Sequence, residues 1–213
     1  MQRSPSSPAF WPAPRHIWLR LLSENRGSQL VEFAVALPLL VFFTVGVFDF
    51  GSAFTVKQKL GGMAQEAARV GASQPENDLT YQSGSCDQLV AVCAVRDVVA
   101  HSLASAKMND CGLASAAPNF AGSVPQFGPL TWTFTTQGSC PSNLILTVGR
   151  GFTYTTNLSN PFSNRTYTIE ATKVNLSYPY SWQFGKVIKF AVPTATFNGL
   201  SQITSTAVMQ NLY

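Results

Sequence analysis

The sequence predicts an α+β protein: a long N-terminal transmembrane helix continuing into a small exported head with a short helix and an antiparallel sheet. Three observations carry this expectation. From Phe33 to Phe48 no residue is charged, and from Phe33 to Val56 only Asp49 interrupts the apolar run. A helical spacing of apolar and small residues then persists to about Ala72. Beyond Pro118 the texture changes to short segments rich in Thr, Val, Ile and aromatic residues, separated by Gly, Pro, Asn and Ser.

The elements follow in chain order. Residues 1–27 open on the Ser- and Pro-rich RSPSSPAFWPAP, which reads as a disordered leader, and HIWLRLL then adds an apolar, basic stretch suited to a membrane face. The run Phe33–Val56 has 24 residues, about 36 Å of helix against a hydrocarbon core of about 30 Å. One span follows. A cleaved secretory peptide is the competing reading, but its apolar core has only about 7–15 residues.

In KLGGMAQEAARVGAS, Leu60, Met63, Ala64, Ala67, Ala68 and Gly71 fall on one helix face, so the helix over 28–73 outruns the bilayer and stops before Pro75. The small residues of this face permit close approach of another helix. Residues 74–213 form the expected head. Val92, Val95, Val99 and Leu103 predict an amphipathic helix within Asp87–Lys107. Strands are expected at TWTFTT, NLILTV, GFTYTT, YTIEATKVNLSY, VIKFAV and QITSTAV.

Charge excludes one class of partner and sets the orientation. The net charge is +4, yet residues 1–27 hold Arg3, Arg15, Arg20 and Arg26 against Glu24, so most of the excess is N-terminal. Residues 74–213 carry seven basic and six acidic side chains, which is no footprint for a polyanion, and nucleic acid is not expected as a partner. By the positive-inside tendency the N-terminus lies in the cytoplasm and the head outside.

All four cysteines, Cys86, Cys93, Cys111 and Cys140, fall on the exported side, where thiols oxidise. Three connectivities are possible. A helix over Asp87–Lys107 would hold Cys86 and Cys111 about 30 Å apart, which favours Cys86 with Cys93 and Cys111 with Cys140. Buried free thiols are the competing reading. No metal site is expected, since the head has one histidine, His101, and no CxxC spacing. No cofactor motif is present.

Other constellations are faint. His101 and Asp97 are an i, i+4 pair that reads as a solvated helix face rather than an acid–base couple. VGRG at Val148–Gly151 is too short for a phosphate loop and reads as a strand bend. GSCPS lacks the strand-to-helix setting of a nucleophile elbow. Trp132, Phe134, Tyr178, Tyr180 and Trp182 read as sheet core. No nucleophile, base and orienter can be assembled, so enzymatic activity is not expected.

The junction before the apolar run is the most informative stretch. Arg26-Gly27-Ser28-Gln29-Leu30-Val31-Glu32-Phe33 puts a carboxylate at the edge of a membrane helix, where a partner or an interfacial position must account for it. The stretch resembles the processing site of prepilin-like proteins, and GSQLVEFAVALPLLVFFTVGVFDFG with AQEAARVGA resembles the TadE-like family of minor pseudopilins from tight-adherence (Flp) pilus systems. The resemblance is dense from Arg26 to Ala72. VNLSYPYSW and ITSTAVMQN match the family's C-terminal strands only loosely, and the leader of 27 residues is longer than the short leaders typical of prepilins.

The resemblance implies that a prepilin peptidase cuts between Gly27 and Ser28, and that Glu32 and Phe33 lie at the start of the mature helix, where subunits assemble. Glu32 would then sit one helical turn from the new amine. The implied partners are the inner membrane, the peptidase, other pilin or pseudopilin subunits and the pilus assembly platform. Pro38 lacks an N–H and is expected to kink the transmembrane helix near Ala34. Asp49 reads as an acid at the outer interface. The alternative function is an uncleaved, membrane-anchored binding module whose head recognises an envelope or surface component.

Overall fold

The computed structural model describes residues 26–75, 85–136, 140–160, 163–183, 185 and 200–212. Helix α1 runs over Arg26–Ser73 and α2 over Val90–Ser105, with a 3-10 turn at Leu113–Ser115. Five strands follow: β1 (Asn119–Val124), β2 (Gly128–Thr135), β3 (Ile145–Asn160), β4 (Ser163–Ser181) and β5 (Leu200–Gln210). They form one antiparallel sheet in the order β1-β2-β3-β4-β5. The class is the α+β architecture that the sequence predicts.

Two compact units divide the chain, Met1–Val45 and Gly46–Tyr213. The second starts well before residue 74 because the latter half of α1 supplies core. Leu60, Met63, Ala64, Ala67 and Ala68 are buried in one cluster with Val92, Val95, Val99 and Leu103 of α2 and with the sheet. The small-residue face is therefore covered within the protein's own head, helix α2 included. Gly71 shows why size matters: a Cβ there would lie 2.9 Å from Thr172 Cγ2 and 3.0 Å from Val95 Cγ2.

The sheet is one-sided, as antiparallel sheets commonly are. Its inner face reads across the register as Trp132, Val148, Val174 and Ala207, then Phe134, Leu146, Leu176 and Ser205, all buried. The opposite face presents Thr133, Thr147, Asn175 and Thr206, partly or fully exposed. Alternation in sequence has thus become a layer.

Several expectations need correction. NLILTV and GFTYTT are not two strands but one, β3, which passes through a bulge between Gly149 and Phe152. Gly149 is needed there because a Cβ would collide with the Phe127 carbonyl oxygen. Gly151 takes the positive φ of +73° that a side chain resists. β1 covers NFAGSV, whose Gly and Ser hide its strand character. Helix α2 starts at Val90, later than Asp87, and ends at Ser105. VIKFAV, the leader residues 1–25, and Gly138 and Ser139 of GSCPS lie outside the described residues.

The two disulfides join Cys86 to Cys93 and Cys111 to Cys140, with Cα separations of 5.5 and 5.3 Å. These are the pairs that the sequence favours. The first ties the segment before α2 to its first turn. The second ties the loop after α2 to the chain entering β3.

Candidate functional site: the membrane helix and its exit

Helix α1 begins at Arg26, so Gly27 and Ser28 already have helical backbone. Glu32 and Phe33 follow within two turns and both are exposed. From there to Phe43 the apolar side chains point out on every side: Val35, Leu37, Leu39, Leu40, Val41 and Phe43 are all exposed. A helix that is apolar all round requires an apolar environment. The span candidate within Gln29–Ser73 contains an 18-residue window of mean hydropathy 2.3, none of it buried within the protein.

Three hydroxyls along α1 are turned back onto its own backbone. Thr44 Oγ1 donates to the Leu40 carbonyl at 2.8 Å, Ser52 Oγ to Phe48 at 2.9 Å and Thr55 Oγ1 to Gly51 at 2.9 Å. Each hydroxyl thereby finds an acceptor without water. Pro38 lies inside the helix and leaves the Ala34 carbonyl without its N–H partner.

The exit from the apolar run is defined by Asp49. Its side chain is only 5% exposed, and Tyr180 Oη donates to Oδ1 at 3.1 Å while lying 3.3 Å from the Asp49 carbonyl oxygen. Trp182 stacks edge-on with Tyr180 at 5.1 Å and with Phe50 at 5.3 Å between ring centroids. Its Nε1 donates to Ser201 Oγ at 2.6 Å. Asp49 is therefore not a bare interfacial acid but part of the head. Among the described residues, Asp49 is the first buried residue of α1, ahead of Val56.

Burial pushes the Tyr180 phenol above its usual value near 10, and the Asp49 carboxylate adds to the rise by accepting a hydrogen bond from the phenol and by its charge, while a hydrogen bond with Ser52 works against it. Tyr178 is also raised, first by burial and then by Asp110, against a backbone hydrogen bond from Asn109 that lowers it. Both tyrosines stay protonated at neutral pH.

The remaining aromatics and polar pairs divide. Trp132 and Phe134 are buried in the sheet as expected, whereas Tyr180 and Trp182 belong to the collar around Asp49. His101 Nδ1 lies 2.8 Å from the Asp97 carbonyl oxygen, and the Asp97 carboxylate instead pairs with Arg96 at 2.7 Å. The sequence reading missed Arg150. Fully buried, it donates from Nη1 to Gly71 O at 2.6 Å and from Nη2 to Gln74 O at 3.2 Å. The only signal was its place in VGRG, which marks a bend and not what the bend aims at.

Residues 27–69 match the family model described as TadE-like protein. The match begins at Gly27 and stays within α1. No curated protein and no solved structure matches the chain.

Proposed function

We propose that the chain is a TadE-like minor pseudopilin that acts in assembly of a Flp (tight-adherence) pilus or a related secretion apparatus. The family match associates it with Tad pilus systems, and the apolar stretch of α1 supplies a single membrane anchor. In this reading the membrane is the bacterial inner membrane, the N-terminus is cytoplasmic and the head is periplasmic or extracellular. Oxidised cysteine pairs in the head support an oxidising compartment.

The observation that carries the finer role is the alignment of the family match with the junction: it opens at Gly27, with Glu32 one turn past Ser28 on an exposed apolar helix. A prepilin peptidase would hydrolyse the Gly27–Ser28 bond and leave Ser28 with a free amine. During assembly Glu32 pairs with such an amine on a neighbouring pilin or pseudopilin subunit, so neither charge enters the apolar bundle alone. Phe33 packs beside it, and Pro38 bends the helix where neighbours cover Ala34.

Gly27→Leu should leave a full-length chain in the membrane, and Glu32→Ala should insert normally but fail to support piliation. Normal piliation with Glu32→Ala would sink the pairing role. A second reading, an uncleaved anchored binding module, draws support from the helical backbone that runs unbroken through Gly27 and Ser28. In that case Gly27→Leu changes neither chain length nor function.

A further inference from the structure

In the unit that begins at Gly46, the first residues that α1 contributes reverse the usual rule for a surface in water. Val47, Phe48 and Phe50 are 71%, 72% and 69% exposed, while Asp49 between them is buried and hydrogen-bonded by Tyr180. Three apolar side chains left in water forgo most of the gain that burial brings. An ionised carboxylate withdrawn from water needs a donor, which Tyr180 provides. Water selects the opposite arrangement, with the carboxylate out and the rings in. A lipid surface selects the one observed.

The position along α1 agrees. Phe48 closes the uncharged run, and Phe50 lies about 3 Å further along the axis. Phe54, 63% exposed, lies about 9 Å beyond Phe48. Both lie within about 10 Å of the end of the uncharged run, the depth scale of the headgroup and upper acyl boundary. Phe50 is in ring contact with Trp182, and Trp182 with Tyr180, at the end of β4. The indole and the phenol each have a polar handle satisfied from within the head, by Ser201 for Trp182 and by Asp49 for Tyr180. Amphipathic rings of this kind are enriched at membrane–water boundaries.

We propose that Phe50, Tyr180 and Trp182 form an aromatic foot by which the head rests in the headgroup layer of the same membrane that α1 crosses. The partner is a lipid surface. The foot is a second membrane contact, separate from the span, and it fixes how far α1 can slide because β4 is held to the helix through Asp49. Tyr180 screens the carboxylate from the lipid edge. This inference rests on α1 spanning a bilayer.

The test uses the full chain reconstituted in vesicles of phosphatidylcholine and phosphatidylglycerol. The emission of Trp182 is isolated as the difference between the wild type and Trp182→Phe, since Trp11, Trp18 and Trp132 contribute to both. That component should be blue-shifted, protected from acrylamide, and quenched more by lipids brominated high on the acyl chain than by lipids brominated near its end. Phe50→Trp, at an exposed position that leaves the core untouched, should add a second component with the same lipid quenching, even if Trp182→Phe disturbs the fold. If the Trp182 component, or the one added by Phe50→Trp, ignores both bromolipids and is open to acrylamide, the foot is overturned while the span stays intact. Failure of the wild type to float with the vesicles removes the span and the foot together.

Discussion

Arg150 Nη1 donates a 2.6 Å hydrogen bond to the Gly71 carbonyl oxygen, and its Nη2 reaches Gln74 O, so a fully buried guanidinium closes the C-terminal end of α1. The last carbonyls of a helix lack intrahelical donors and carry partial negative charge. A cation from the middle of the sheet meets both needs. The bulge at Gly149–Phe152 makes this possible by adding a residue to β3 where Arg150 must point toward the helix.

Arg150→Met keeps much of the volume and removes two charge-assisted bonds. It should destabilise the head by about 2–4 kcal/mol. Urea denaturation of the full chain in detergent, followed by tryptophan emission, measures the change. An unchanged midpoint would show that the cap contributes nothing.

Gly71→Val adds atoms where a Cβ alone would already sit 2.9 Å from Thr172 Cγ2. Overpacking of this kind costs about 1–3 kcal/mol. Gly62→Ala, with nothing within 4 Å of the added Cβ, should be neutral or slightly stabilising in the same assay, because alanine favours helix over glycine.

The disulfides should differ in weight. Cys111–Cys140 spans 29 residues and Cys86–Cys93 only 7, which on loop entropy predicts losses of about 3.6 and 2.4 kcal/mol. Paired serine substitutions, Cys111→Ser with Cys140→Ser against Cys86→Ser with Cys93→Ser, should rank in that order by thermal unfolding.

Tyr178 and Tyr180 give the head an alkaline limit. Their folded values are raised, so their protonated forms are favoured by folding; that contribution is whole below the unfolded value near 10 and is lost as pH rises through the folded values. Stability should be flat from these groups across neutral pH and fall above about pH 10. Tyr180→Phe should reduce the steepness of that fall, and absorbance titration should lose one phenol that ionises above the usual value near 10.

What the sequence made legible was what is local. Leu60, Met63, Ala64, Ala67, Ala68 and Gly71 repeat at helical spacing, so their shared face was readable, but not that the protein's own sheet and α2 would cover it. The inner face of β2 was readable from TWTFTT, where Trp132 and Phe134 alternate with threonines. Asp49 and Tyr180 stand 131 residues apart, and no local pattern links a helical acid to a strand tyrosine. Arg150 was hidden for the same reason: its partner is a helix end brought over the sheet only by the fold. At the junction, Gly27, Ser28 and Glu32 are a short motif with its own chemistry, and the family match opens on its first residue.

The measurement that bears most directly on the central proposal is the N-terminal sequence of the protein isolated from its native membrane. A mature chain that begins at Ser28 is the expected result, for it frees the amine that Glu32 is placed to meet. A chain that still begins at Met1 would contradict pseudopilin processing and leave an anchored factor in its place.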